Sequence, residues 1–168
     1  MTLEGVYGMQ PALLPRSMVR LTLADKKLLW VGRPGVELLD FERHYRYENE
    51  SLHRFPQHRD GTIDWTAVDS GLVLDEASTE FEVAMSRWLR LVGDRVVVIW
   101  SEVVVPSVMI AVDLFAELLA DIAGTFAEFW VYSPDARVLV ENTFAGQLTA
   151  ARLPDNTSSS RTGARGSL

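Results

Sequence analysis

The sequence contains no cysteine, only two lysines and no long apolar run, and each absence narrows what the chain can be. Without cysteine there is no disulfide framework and no thiolate to bind a metal or act as a nucleophile. The longest apolar run, residues 103–112, is interrupted by Pro106 and is shorter than the roughly 20 residues that a membrane-spanning helix needs. The stretch MTLEGVYGMQPALLP has no basic region ahead of an apolar segment. We therefore expect no membrane segment, no signal peptide and a cytoplasmic location.

Basic charge is scarce as well, because the 168 residues carry a net charge of −7. A negative protein is poorly suited to nucleic acid or to an anionic membrane surface, since both repel it. We expect neither as the main partner. A basic protein or a cation is the more natural partner.

The composition that is present fits one globular domain. Apolar residues make up 48% and charged residues 23%, and five tryptophans with seven phenylalanines are enough for one packed core. We expect a single domain over residues 1–153. Residues 154–168 are rich in Ser, Thr, Gly and Arg and have almost no apolar side chain to offset the cost of ordering, so a disordered tail is expected there.

Two helices are indicated by apolar residues that recur three and four positions apart. The first covers residues 80–92, and Thr79 and Glu82 have the spacing of a capping box at its start. The second covers residues 114–122 and follows Asp113, a residue type that caps helices.

Several strands are indicated by alternating or β-branched patterns. Residues 103–111 contain Pro106, which favours an edge or a break, whereas 36–47 fit neither period and 48–64 are predicted as a long surface loop. Together the elements predict an α+β fold: a mostly antiparallel sheet, two main helices packed on one side of it, and a C-terminal three-stranded meander. The predicted strands are 18–23 and 28–31 as a hairpin, 95–100 as a central strand, and 127–132, 137–144 and 147–153 as the meander.

All three histidines, His44, His53 and His58, lie in the segment HYRYENESLHRFPQHRD, which also contains carboxylates. Imidazole and carboxylate groups are what a divalent metal site needs. However, no two histidines have the spacing that places ligands on one helix face, and the interleaved arginines would repel a cation. A solvated polar loop is therefore favoured and no cofactor is expected. The alternative is a small metal-dependent or acid–base enzyme that uses the 44–60 segment.

The negative charge is unevenly distributed along the chain. Residues 60–135 contain fourteen carboxylates against three arginines, a net charge of −11, whereas the rest carries +4. An acidic face attracts basic partners, although acidic residues also cap helices and solvate their surfaces, so both interpretations stay open. The most acidic part also has an aromatic residue of the kind that anchors interfaces. The candidate partner-binding residues are Asp60, Asp64, Trp65, Asp69, Asp75, Glu76 and Glu80.

Sequence signatures of common enzymes are missing. The chain has no glycine-rich phosphate loop, no G-x-S-x-G and no H-E-x-x-H. A non-catalytic binding protein is therefore expected ahead of an enzyme.

A resemblance points the same way. Over about residues 76–153, the segments WLRLVGDRVVVIW, DLFAELLADIAG and FWVYSPDARVLVENTFAGQLTAARL are similar to the small acidic α+β immunity proteins encoded beside bacterial polymorphic toxins. The resemblance implies a cytosolic protein without catalytic activity. Such a protein would bind a usually basic toxin domain through acidic and aromatic residues and block its site.

Overall fold

The computed structural model describes residues 6–155, so most of the expected tail, from residue 156 onward, lies outside the described residues. The α+β prediction is confirmed, with four α-helices and nine strands in the described range. The strands are β1 Val19–Ala24, β2 Lys27–Gly32, β3 Val36–Leu38, β4 Val73–Ala77, β5 Arg95–Trp100, β6 Val108–Ala111, β7 Phe129–Ser133, β8 Val138–Asn142 and β9 Leu148–Arg152. The helices are α1 Phe41–Glu50, α2 Phe81–Trp88, α3 Val112–Glu117 and α4 Leu119–Thr125.

Strands β1 and β2 form the predicted N-terminal hairpin as a separate two-stranded sheet. Its two turn residues, Asp25 and Lys26, have positive φ angles of 48° and 64°. A turn with two left-handed residues matches the twist of the flanking strands, which is why hairpins favour it.

The other seven strands form one antiparallel sheet in the order β3-β6-β5-β7-β8-β9-β4. Strands β7, β8 and β9 are the predicted C-terminal meander. Of the two outcomes that Pro106 favoured, an edge or a break, the structure shows the break: β6 is interior, between β3 and β5, and the predicted strand 103–111 is interrupted before it. The reason is that β6 begins at Val108, so the missing N–H of Pro106 falls outside the ladder.

One side of this sheet, here called the first face, is covered by α2, α3 and α4. Its core is apolar and includes Phe81, which packs edge-on against Phe129 with ring centroids 4.9 Å apart. Two details differ from the prediction. No side chain caps α2, so the Thr79–Glu82 capping box is not formed. The second predicted helix is divided into α3 and α4 at Leu118.

The opposite side, here called the second face, is covered by α1 and residues 51–68. Alternation along β5 and β7 sends Val97, Ile99 and Trp130 to this side. The prediction of a surface loop over 48–64 is wrong, because Leu52, Phe55 and Ile63 are buried there. Helix α1 starts where Asp40 accepts a hydrogen bond from Arg43 N.

No helix in residues 6–155 has the length and apolar character needed to cross a membrane, and the longest of them, α1, has ten residues.

Candidate functional site

The second face contains a buried carboxylate, Glu141 on β8, which is 1% exposed. Its two oxygens accept three hydrogen bonds, from the backbone N–H of Ile63 at 3.0 Å and from the indole N–H groups of Trp65 and Trp130 at 2.8 Å each. Trp130 lies directly across from Glu141 in the β7–β8 pairing. Glu141 therefore fastens the 63–65 segment to the sheet.

Burial of Glu141 raises the pKa of its carboxyl, and the three donors oppose that shift. Glu141 is not among the residues predicted from the sequence. A signal was available, because alternation along the meander strand places Glu141 on the same side as the buried Leu139. A charged residue at that position indicates either an exposed edge or a buried polar contact.

Helix α1 places a second buried polar group, His44, beside the N-terminal segment. Its Nδ1 lies 2.8 Å from the hydroxyl of Ser107, and its ring stacks on Tyr7 with centroids 3.3 Å apart. The other ring nitrogen, Nε2, is buried without a hydrogen-bond partner and lies 3.6 Å from Oε2 of Glu48. Tyr7 is in place because Gly8 has a φ of 82° and no Cβ, which would otherwise lie 2.5 Å from Pro106 N.

Glu48 stands on the wall of a cleft of about 180 Å³. It lies one helical turn after His44 on α1, and Nε2 of His53, in the turn that follows, is 3.9 Å from the same oxygen. The cleft is therefore both polar and aromatic. Its polar lining consists of Tyr7, Glu48, His53, Gln57, Asp60 and Ser101, and its aromatic lining adds Trp100 and Trp130.

The electrostatics of the cleft keep Glu48 ionised. Burial alone raises the pKa of the Glu48 carboxyl, but the neighbouring imidazoles of His44 and His53 outweigh it and lower the pKa below its usual value. Burial and the Glu48 charge raise the pKa of the Tyr7 hydroxyl, so the phenol stays protonated. At neutral pH the cleft thus presents a carboxylate beside neutral aromatic walls.

The three histidines do not converge on one carboxylate. His44 and His53 share Glu48, whereas His58 lies 3.9 Å from Asp64. Across residues 6–155, no group of three or more histidine, aspartate or glutamate side chains is arranged to hold a metal ion.

Among the predicted partner-binding residues, three aspartates accept hydrogen bonds from the backbone in their own turns. Asp60 accepts from Thr62 N, Asp64 from Thr66 N and Asp69 from Gly71 N, at 2.9–3.2 Å. Short polar side chains commonly stabilise turns in this way. Each of these aspartates therefore stabilises its own turn, and its carboxylate still contributes negative charge to the protein surface.

The remaining predicted residues divide between the interior and the sheet edge. Trp65 is half-buried, packed against Phe55 and bonded to Glu141, so it anchors the fold and does not project as a free contact residue. Asp75 and Glu76 are exposed on the edge strand β4, and Asp75 accepts a 2.9 Å hydrogen bond from the indole of Trp88. Glu80 is exposed at the N-cap position of α2, with no side-chain cap bond.

These carboxylates lack cationic side-chain partners. Throughout the described residues, no arginine or lysine lies within 4.0 Å of any of the six, and Asp64 alone has a histidine nearby. Hydrogen bonds from Thr62, Thr66 and Trp88 lower the pKa values of Asp60, Asp64 and Asp75 respectively. The segment from Asp60 to Glu80 therefore carries negative charge at neutral pH that the fold does not pair with a cationic side chain at contact distance.

The sequence was also compared with protein-family models and with curated proteins, and neither comparison gave a match. The resemblance to immunity proteins accordingly stays a prediction.

Proposed function

We propose that this protein is a non-catalytic binding module of the immunity or inhibitor type, and that it binds a basic protein partner through the acidic surface carried by Asp60, Asp64, Asp69, Asp75, Glu76 and Glu80. The cytoplasm is its proposed location. A basic toxin domain is the proposed kind of partner.

One observation carries the proposal: among the described residues, the carboxylates from Asp60 to Glu80 have no arginine or lysine at ion-pairing distance. Local hydrogen bonds also lower the pKa values of Asp60 and Asp75. Unpaired surface charge of one sign raises the association rate of an oppositely charged protein and selects against partners of like charge. Asp75 and Glu76 are exposed on β4, which is an edge strand of the sheet. The free backbone groups of an edge strand offer a second means of contact with a partner.

The second candidate is an acid–base enzyme. The observation that favours it is that the imidazoles of His44 and His53 both lie beside the Glu48 carboxylate. Two features favour binding over catalysis. The Ser107 hydroxyl beside His44 is fully buried, so no substrate can reach it as a nucleophile. The lowered pKa of Glu48 also makes its carboxylate a weak base at neutral pH.

The proposal is tested by charge reversal where no local hydrogen bond is lost. Glu76→Lys with Glu80→Lys changes the charge by +4, and neither side chain makes a hydrogen bond in the structure. Asp113→Lys with Glu117→Lys is a matched control, because both residues are exposed on α3, which contacts β5 and β6 far along the sheet from β4.

Each tagged protein is used to capture partners from the cells that produce it, and the captured complex is washed at about 0.1 M and about 1 M salt, where the Debye length falls from roughly 10 Å to 3 Å. We expect a basic protein that the wild type and the control retain and the Glu76/Glu80 variant loses. Equal retention by both variants would contradict the proposed surface. Isolation of a salt-insensitive acidic partner would contradict the proposed chemistry.

A further inference from the structure

We propose that the β1–β2 hairpin is a self-association surface, through which two copies of this chain form a symmetric dimer. In this dimer the leucines at the tip of each hairpin pack against an apolar pocket at the base of the other hairpin. The surface uses none of the carboxylates assigned to partner binding, so this inference does not depend on the proposed function.

One face of the hairpin is apolar and is left uncovered within residues 6–155. Leu23 pairs directly with Leu28 next to the turn. Leu21 pairs with Trp30, and side chains of directly paired residues lie on the same face of a sheet. Exposure increases towards the tip, because Val19 is 1%, Leu21 40% and Leu23 71% exposed, with Leu28 at 66%. A two-stranded hairpin is marginally stable alone, so adjacent exposed leucines on it indicate a contact surface.

An apolar pocket of about 220 Å³ lies at the base of the same hairpin. It is lined by Trp30, Val31 and Gly32 of β2 and by residues 36–38 of the edge strand β3. Gly32 has no side chain to fill this space, and a Cβ there would collide with the carbonyl oxygen of Val36. The volume is below the roughly 300 Å³ at which small-molecule pockets begin, so aliphatic side chains are the better fit.

A two-fold axis through the Leu21–Trp30 pair brings the tip and the pocket together. It makes the two hairpins run in opposite directions with their apolar faces in contact. Because each residue advances about 3.3 Å along a strand, Leu23 lies about 7 Å to one side of the axis and Gly32 about 7 Å to the other. The tip of one copy therefore meets the pocket of its partner, and both contacts form at once, as a closed symmetric dimer requires.

Charge also favours a second copy as the occupant. Residues 16–33 contain five basic residues and one carboxylate, a net charge of +4, whereas the rest of the chain contains eleven basic residues and 22 carboxylates, a net charge of −11. The hairpin of one copy is therefore attracted to the body of the other. Lys26 extends past the tip leucines to where Glu37 lines the other pocket. The Glu37 side chain is 46% exposed and, although it pairs with Arg43, it can accept a second cation.

The dimer is tested by sedimentation equilibrium of the intact chain. A stable interface buries roughly 800 Å² per partner, and one face of residues 19–32 offers less, so we expect a weak dimer that is half-formed at tens of micromolar. Leu23→Thr with Leu28→Thr removes the tip leucines and keeps residues that favour strands. Phe144→Thr is the matched control, because Phe144 is 83% exposed between β8 and β9.

We expect the wild type and Phe144→Thr to dimerise equally. The double leucine variant should dimerise at least about a hundredfold more weakly, since each dimer loses the burial of four leucine side chains. Both leucines are exposed in the single chain, so thermal unfolding should show that this variant keeps its fold.

The orientation of the two copies is tested by disulfide capture, which has no background because the chain contains no cysteine. Lys26→Cys protein mixed with Glu37→Cys protein should form a linked dimer. Lys26→Cys alone should not, because the two tips lie at opposite ends of the interface and a disulfide needs close Cα atoms. Phe144→Cys mixed with Glu37→Cys measures the linkage that random collision produces.

A chain that stays monomeric at every concentration up to about 500 μM would overturn the inference. So would a dimer that the double leucine variant retains, or a Lys26→Cys protein that links to itself as readily as to Glu37→Cys. None of these variants changes a residue reversed in the partner-capture experiment, so failure of this inference and failure of the proposed function are seen separately.

Discussion

The two faces of the seven-stranded sheet differ in how they are built. The first face packs apolar side chains of three helices onto the strands, and Phe81 makes T-shaped ring contacts there with Phe115 and Phe129. The second face buries an imidazole and a carboxylate, His44 and Glu141, beneath α1 and a chain segment that has only short 3-10 turns. Both faces of the sheet therefore have an apolar core, and the second face also buries polar groups.

The two faces therefore contribute to the fold in different ways. Burying apolar surface stabilises a fold without regard to direction, whereas a buried polar group stabilises only when its partners are in place. The first face has the larger apolar core and so contributes more of the stability of the domain. The second face fixes the position of specific groups, and it is where the cleft, Asp60 and Asp64 lie.

The largest expected effect comes from deleting a large side chain on the first face. Phe115→Ala should lower the free energy of unfolding by about 4 kcal/mol, because Phe115 is fully buried and its removal leaves a cavity. Chemical denaturation measures this change. Phe144→Ala, at an 83% exposed site, should cost less than about 0.5 kcal/mol. Similar losses in both variants would show that the first face is not the main source of stability.

An intermediate effect is expected from removing the buried acceptor on the second face. Glu141→Leu leaves the Ile63 amide and the indoles of Trp65 and Trp130 without an acceptor, and we expect a loss of about 3 kcal/mol. Hydrogen exchange should show the Ile63 amide losing protection, while amides of α2 keep theirs.

Glu141→Gln is the milder companion, since it retains one oxygen and should cost about 1–2 kcal/mol. If Glu141→Leu were as stable as the wild type, the three hydrogen bonds would not be what holds residues 63–65 on the sheet.

The smallest expected effect is the pH dependence of folding stability that is caused by Glu141. Because burial raises its folded pKa above the ordinary value of 4.5, the folded protein holds this proton more tightly than the unfolded chain does. Its contribution is therefore fully present below pH 4.5 and is lost as the pH rises through the folded pKa. The wild type should lose stability relative to Glu141→Gln over that window, measured by denaturation at several pH values. If the stability of the wild type relative to Glu141→Gln stays constant or increases as the pH rises, the raised pKa of Glu141 in the folded protein would be contradicted.

The elements with strong local patterns could be predicted from the sequence. The hairpin, the central strand β5 and the meander all follow from alternation and turn residues, and the region of α2 follows from its apolar spacing. Helix α1 could not be predicted, because its sequence, FERHYRYENE, is mostly polar. It is ordered by contacts with residues far along the chain, such as that of Tyr47 with Tyr132. Its N-cap, Asp40, was the one local signal.

The candidate site was harder to predict for the same reason. His44, His53 and His58 formed the alternative candidate site in the sequence, but the structure places the first two beside Glu48 and the third beside Asp64. Which carboxylate an imidazole meets depends on the packing of α1 against the N-terminal segment. Trp65 was selected as a contact residue from its acidic surroundings, whereas Glu141, 76 residues later, draws its indole inward.

The central claim, that the second face and the adjoining β4 edge form the partner-binding surface, is tested most directly by hydrogen exchange of the protein with and without the captured partner. We predict that binding slows exchange in residues 51–68 and in β4, and leaves the amides of α3 and α4 unchanged. Slowed exchange confined to α3 and α4 would contradict the account.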